Sequence, residues 1–155
     1  LGVDYFTTLK KHIDKKYSED YSSYFSPYFK INSHGKRIDH SNIKMKIELE
    51  DVIKAGDILA SGMSFKTETV LKIGGYKTDI INSGLENYDL VIRLLKSGEK
   101  FKNLGSYLTS YRIHENSISQ NKTNIILNNG MIINSSYSLP RYTRGHNHPQ
   151  DGFIN

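Results

Sequence analysis

The pattern at residues 83–98 constrains the fold most strongly, because it marks both ends of an amphipathic helix. Ser83 and Glu86 have the spacing of a capping box, in which the two side chains satisfy the first backbone N–H groups of a helix. Apolar residues follow at positions 90, 91, 94 and 95, and Gly98 ends the run. We therefore predict a helix that buries one face against other elements.

The remaining segments alternate between helical and extended patterns, which is typical of an α/β fold. The spacing of Phe6, Leu9, Ile13 and Tyr17 predicts an amphipathic first helix, and turn residues 32–35 predict a hairpin between strands at 21–31 and 36–38. Further helices are predicted at 48–55, 67–73 and 120–137, the last interrupted near Asn129 and Gly130, and further strands at 58–65, 100–104 and 107–113. We expect a mixed sheet flanked by helices, with residues 1–140 as one domain and 141–155 as a polar tail.

The composition narrows the functional classes. The 155 residues suffice for one domain, and without cysteine the chain cannot form disulfides, thiolate metal sites or a thiol nucleophile. No apolar stretch approaches the roughly 20 residues of a membrane-spanning helix, so we expect no transmembrane segment. The net charge of +5 comes from 16 lysines and 5 arginines in runs no longer than two, which favours a solvated surface over a nucleic-acid partner.

Four motifs in a fixed order resemble the C-terminal half of family 2 glycosyltransferases of the GT-A fold. They are SGMSF at 61–65, VLKIGGY at 70–76, GLENYDL at 84–90 with Arg93-Leu94-Leu95, and YRIHENSIS at 111–119. Each motif alone is weak, but four in this order over about sixty residues form a specific signal. The helix and hairpin expected before residue 57 are compatible with the part that precedes these motifs in the family.

The resemblance implies a partial GT-A fold that lacks most of the N-terminal nucleotide-binding half. It implies inverting transfer of a sugar from a nucleotide-diphosphate donor to a hydroxyl of a glycan or lipid-linked acceptor, in polysaccharide or cell-surface glycan synthesis. The complete enzyme would use a divalent cation, Mg²⁺ or Mn²⁺, held by an Asp-x-Asp signature that this chain lacks. Asp4 lies where that signature would end, so we expect the chain to begin within or just after it. A partner chain could complete the fold, and we expect a cytoplasmic location, with the inner membrane face as a place for such synthesis.

The acidic residues at the start of the 83–98 helix are the candidate catalytic groups. The resemblance implies that the base is the second residue of an acidic pair, and here that pair reads Glu86-Asn87. An amide cannot take a proton as a carboxylate does, so Glu86 or Asp89 would have to serve instead. The structural alternative is that Glu86 completes the capping box and Asp89 pairs with Arg93 one turn later.

Two further motifs supply candidate substrate-binding residues. The resemblance places Gly62 and Met63 in the wall of the substrate pocket, although a packing glycine in a buried strand would look the same. It places Arg112 and His114 near the diphosphate, with His114 as a ligand of the divalent cation. A neutral imidazole can bind a metal ion, and a protonated one can stabilise charge on a leaving group.

Three other functions remain open from the sequence. The first is a non-catalytic glycosyltransferase remnant that binds a ligand or partner, which Asn87 favours. The second is nucleic-acid binding through clustered rings near Lys30, although a half-buried hairpin would contain the same residues; these rings are Tyr21, Tyr24, Phe25, Tyr28 and Phe29. The third is metal-dependent hydrolysis by His146 and His148 with Asp151, although no motif supports a third metal ligand beside the two histidines.

Overall fold

The computed structural model describes residues 2–14, 20–55, 62–78, 84–114 and 123–142, and it shows an α/β chain with two mixed sheets flanked by helices. The helices are α1 (Tyr5–Ile13), α2 (Leu49–Ala55), α3 (Thr67–Lys72), α4 (Glu86–Lys96) and α5 (Thr123–Ser136). The strands are β1 (Ser23–Phe25), β2 (Tyr28–Ile31), β3 (Arg37–His40), β4 (Lys46–Ile47), β5 (Met63–Phe65), β6 (Phe101–Asn103) and β7 (Thr109–Arg112). No helix within these ranges is long and apolar enough to cross a membrane.

The strands form two separate sheets. The larger sheet has the order β4-β6-β1-β5, in which β1 and β6 run parallel and the two outer strands pair antiparallel. The smaller sheet has the order β3-β2-β7, with an antiparallel β2–β3 hairpin and a parallel β2–β7 pair. The mixed pairing and the flanking helices agree with the predicted class, although one sheet was expected and two are present.

The parallel pair β1–β6 of the larger sheet continues into the parallel pair β2–β7 of the smaller sheet. β1 leads into β2 and β6 leads into β7, so the chain changes sheets twice at the same level of the molecule. The hydroxyl of Ser26 lies 2.6 Å from the Pro27 carbonyl oxygen and 3.0 Å from that of Ser106, and it accepts a hydrogen bond of 2.9 Å from the Leu108 N–H. These contacts hold the β1–β2 connection against the β6–β7 connection.

The main core packs the larger sheet against α2, α4 and α5. Helix α4 contributes most, because six of its eleven residues are buried and Asp89 is the one charged residue among them. The remaining buried residues of this core come from the larger sheet, from α2 and α5, and from the segments next to α4 and α5. They are Phe25, Ile47, Val52, Ala55, Leu85, Phe101, Ile126, Ile133 and Tyr142. A second cluster of Tyr5, Tyr24, Leu104 and Leu108 holds α1.

Several local predictions are confirmed. The turn at 32–35 closes the hairpin, with the Asn32 side-chain oxygen accepting from the N–H groups of His34 and Lys36. Helices α2, α3 and α4 lie within the predicted segments, and Gly98 follows α4 with a φ of +87°. Within α2, Glu50 and Lys54 form an i,i+4 ion pair at 2.8 Å.

Four predictions of the secondary structure are wrong. The segment 21–31 is two strands in two sheets, because Pro27 has no N–H for a continuous ladder. The buried face of α1 carries Tyr5, whereas Phe6 and Ile13 are 68% and 46% exposed. The N-cap of α4 is Leu85, which makes no side-chain hydrogen bond, so Glu86 is the first helical residue and not the third that a capping box requires.

The fourth correction concerns α5, which is continuous through Asn129 and Gly130. The helix tolerates glycine there because the ring of Tyr142 packs directly against the Gly130 backbone, in space that a side chain would fill. Tyr142 is itself buried, although it falls in the segment predicted as a polar tail. Residues 143–155, with His146, His148 and Asp151, lie outside the described residues, as do Tyr17, Ser83 and the strand predicted at 58–61.

Candidate functional site

The first turn of α4 presents Glu86 and Asn87 at the surface of the molecule. The flanking residues Leu85 and Tyr88 are buried, which anchors the helix start in the core and leaves Glu86 and Asn87 half-buried at its rim. A Glu86 carboxylate oxygen accepts a long hydrogen bond of 3.4 Å from the Gly84 N–H.

Asn87 is held by the loop that follows α3. The hydroxyl of Tyr76 donates a hydrogen bond of 2.8 Å to the Asn87 side-chain oxygen. The loop can reach α4 because Gly74 and Gly75 adopt φ values of +85° and +67°, which reverse the chain after the helix. The Gly75 N–H donates to the Val70 carbonyl at 2.9 Å and so fixes that reversal.

Arg93 joins the same loop to α4. Its guanidinium donates to the Ile73 carbonyl at 2.8 Å and to the Gly75 carbonyl at 2.6 Å. Its Nε donates to a carboxylate oxygen of Asp89 at 2.7 Å, which confirms the predicted i,i+4 pair. The guanidinium therefore fixes the position of the loop after α3, and with it Tyr76, relative to the start of α4.

Asp89 lies beneath the surface rather than in a position open to solvent. Its side chain is 2% exposed, and besides Arg93 it accepts from the Tyr137 hydroxyl at 2.7 Å and faces the Lys77 ammonium at 3.6 Å. Hydrogen bonding to Tyr137 and the Asp89 charge raise the pKa of Lys77, and burial raises the pKa of Tyr137. The carboxylate thus binds three side chains at once, and these contacts connect α4 to the loop after α3 and to the end of α5.

Gly62 and Met63 occupy the entry to β5. The Gly62 carbonyl accepts a hydrogen bond of 2.9 Å from the Tyr5 hydroxyl, which also lies 2.9 Å from the Ser64 hydroxyl. Burial raises the pKa of Tyr5. Gly62 has a φ of +72°, and a Cβ at this position would lie 2.5 Å from Cγ2 of Thr109. Glycine is therefore required here by close contact between β5 and the start of β7.

Arg112 and His114 lie at the other end of β7. The Arg112 guanidinium donates to the carbonyl groups of Asn32 and Ser33 at 3.0 and 2.8 Å, so it ties β7 to the hairpin turn. His114 is exposed just beyond the strand. An extended strand advances about 3.3 Å per residue, which separates His114 from Gly62 along the length of β7.

The candidate residues therefore fall into three places: the start of α4, the β5 entry and the end of β7. Sequence reasoning assigned no role to Tyr76, Tyr137 or Tyr5, which make the contacts described above. Tyr76 could have been found, because it closes the 70–76 motif. Tyr137 lies 48 residues from Asp89, and no local pattern indicates that contact.

The rings proposed for base stacking are mostly inside the protein. Tyr24, Phe25 and Tyr28 are at most 3% exposed, and Lys30 is 2% exposed and paired with Asp39 at 2.8 Å. Of the five rings, only Tyr21 and Phe29 are partly exposed. The cluster is a buried part of two sheets and cannot serve as a continuous stacking platform.

Comparisons with known proteins do not extend this description. No protein-family model matches the chain, and a search of curated proteins finds no match either. The class of protein that the fold defines is an α/β chain with two mixed sheets.

Proposed function

We propose that the chain is the acceptor-side half of an inverting GT-A glycosyltransferase of the family 2 type. It would transfer a sugar from a nucleotide-diphosphate donor to a hydroxyl of a glycan or lipid-linked acceptor. The observation that carries the proposal is the 2.8 Å hydrogen bond between Tyr76 and Asn87. It joins two of the four motifs, 11 residues apart, at the helix start where the resemblance needs a substrate-facing site.

Glu86 is the proposed general base. It is the first carboxylate of α4 and it is half-buried. Its hydrogen bond from the Gly84 N–H is long, at 3.4 Å, which leaves oxygen lone pairs for an acceptor hydroxyl. Asn87 has its oxygen engaged by Tyr76, so its amide N–H groups can donate to the same acceptor. Asp89 is a positioning residue in this proposal, because Arg93, Tyr137 and Lys77 occupy its carboxylate.

The divalent cation does not fit the described residues alone. The described ranges contain no cluster of three or more His, Asp or Glu side chains placed to hold a metal ion. Magnesium and manganese prefer carboxylate oxygens, and His114 would supply one nitrogen ligand. In this proposal the remaining ligands come from a donor-binding half carrying the Asp-x-Asp signature, so we derive no step through the cation.

A non-catalytic remnant is the second candidate. Asn87 favours it, because an amide at the family's base position cannot take the acceptor proton. The same site would then bind a glycan or sugar nucleotide without turnover.

The two candidates can be separated in a longer polypeptide that joins a nucleotide-binding half upstream of these residues. Turnover of a panel of sugar nucleotides with Mn²⁺ would be measured for the wild type, Glu86→Gln and Asn87→Asp. Loss of a general base costs about 10²- to 10⁴-fold, so Glu86→Gln should lose at least 100-fold. Glu68→Gln, an exposed Glu on α3, is the matched control and should keep full activity.

Each outcome decides between the candidates. An active wild type that Glu86→Gln inactivates supports the transferase with Glu86 as base. An inactive wild type with an active Asn87→Asp variant supports the remnant. Activity that survives Glu86→Gln contradicts the assignment of the base.

A further inference from the structure

A surface around the β2–β3 hairpin combines positive charge with exposed apolar side chains. Ile38, Met45 and Tyr107 are 53%, 52% and 41% exposed, and exposed apolar side chains are informative where they form one patch. Exposed cations accompany them. We define the hairpin surface by its cations Lys36, Arg37 and Arg112 and its apolar members Ile38, Met45 and Tyr107.

Direct contacts make the hairpin surface continuous. The Arg37 guanidinium stacks 3.8 Å above the ring centroid of Phe29, and Phe29 stacks on Tyr107 with centroids 4.6 Å apart. The Tyr107 hydroxyl donates to the Ser41 carbonyl at 3.0 Å, in the segment that leads from the hairpin to β4. The Met45 methyl group lies beside Gly105, in the same turn as Tyr107. The hairpin, the 41–46 segment and the 105–107 turn therefore share one surface.

The positive charge of this surface is not neutralised locally. Asp39 is the one acidic residue between positions 34 and 46, and the buried Lys30 holds it at 2.8 Å. Within the described ranges, Lys36, Arg37 and Arg112 form no ion pair with a carboxylate; Arg112 binds two carbonyl groups instead. A fixed group of cations is thus presented beside apolar side chains.

We propose that the hairpin surface docks the protein onto an anionic lipid bilayer. Cations near an anionic leaflet are attracted to its headgroups, while Tyr and aliphatic side chains enter the interfacial region. The exposed Ile38 and Met45 favour this partner over an acidic polymer, which offers them no apolar phase. Single-stranded nucleic acid is disfavoured because Arg37 and Tyr107 already contact the ring of Phe29.

This docking uses no residue of the α4 or β5 sites and shares only Arg112 with the candidate substrate-binding residues. It needs no membrane-spanning helix, because electrostatic attraction and shallow apolar insertion together give reversible surface binding. It would bring the start of α4 to a membrane that carries lipid-linked substrates if the proposed function holds.

Vesicle co-sedimentation with the 155-residue chain tests the charged component. Phosphatidylcholine vesicles with phosphatidylglycerol should bind the protein, and phosphatidylcholine alone should not. The double variant Lys36→Gln/Arg37→Gln removes two cations of the hairpin surface and should need about 30-fold more lipid for half binding. The double variant Lys11→Gln/Lys72→Gln removes two exposed lysines of α1 and α3 and should change binding by less than about twofold.

A second pair of variants tests the apolar component. Ile38→Ser should weaken binding to the anionic vesicles by about fivefold or more. Leu71→Ser is the matched control, because Leu71 is 70% exposed on α3, outside the hairpin surface. Circular dichroism of every variant shows that a loss of binding is not a loss of fold.

Three results would overturn the proposal. One is absence of binding to the anionic vesicles. Another is equal loss of binding in the variants of the hairpin surface and in their controls. The third is binding of a single-stranded RNA oligonucleotide or heparin without binding to vesicles, which would assign the surface to a polymer.

Discussion

Replacing Asp89 with Asn should destabilise the protein by about 3 kcal/mol. The side chains of Asp89 and Arg93 are 2% and 12% exposed, so the substitution leaves a buried guanidinium without its counter-charge. Removing one partner of a buried pair costs roughly 3–5 kcal/mol. We take the lower end, because Arg93 keeps its bonds to the carbonyl groups of Ile73 and Gly75, and Tyr137 can still donate to the new amide oxygen.

The loss can be measured by urea and thermal unfolding, followed by circular dichroism because the chain contains no tryptophan. At about 2–4 °C per kcal/mol for a chain of this size, the melting temperature should fall by roughly 6–12 °C. Glu50→Gln is the matched control: it also changes an acid to an amide in an i,i+4 pair, but both partners are at least 70% exposed, so no measurable shift is expected. A loss below about 1 kcal/mol for Asp89→Asn would refute the reasoning that the network of Asp89 and Arg93 excludes water and holds the loop after α3.

Two further predictions concern stability. Gly62→Ala should lower the free energy of unfolding more than Gly74→Ala. Both glycines have a positive φ, which costs an alanine about 1–2 kcal/mol, but only at Gly62 would the new Cβ also meet Thr109, since Gly74 faces open space. Equal losses of stability in urea unfolding would contradict this. The hydrogen bond from Lys30 holds the pKa of Asp39 below its ordinary value of 3.8, so this group stabilises the fold above that pH and the stabilisation disappears as the pH falls through the lowered pKa. Wild type and Asp39→Asn should therefore differ in stability at neutral pH and converge as the pH falls through the lowered pKa. A difference in stability that does not change with pH would disprove the assignment.

Local signals in the sequence predicted the local structure well. The turn residues at 32–35 and the glycines after α3 and α4 mark positions where the backbone itself requires particular residues, and the structure confirms them. The face of α1 could not be predicted in this way. Its apolar residues lie on two faces, and Tyr5 is buried because its hydroxyl reaches Gly62, a contact 57 residues away.

The candidate site was predicted in part. The motifs indicated the start of α4, and the pair of Asp89 and Arg93 is a short-range contact that the sequence shows. The depth of Asp89 was not predictable, because it depends on Tyr137 and on the packing of α5. Helix α4 began later than expected because Leu85 is fully buried and takes the N-cap position itself.

The double crossing between the two sheets also determines the order in which the chain can fold. The Ser26 hydroxyl and the Leu108 N–H are 82 residues apart in sequence, and both parallel strand pairs depend on that juncture. Closing so long a loop before either parallel strand pair forms makes folding slow, because the contacts of these pairs are distant along the chain. During synthesis, strands β1 and β2 must wait for β6 and β7 to emerge from the ribosome. Until then the tyrosine-rich segment that becomes β1 and β2 has unpaired edges, and this is the stage at which the nascent chain is most exposed to aggregation.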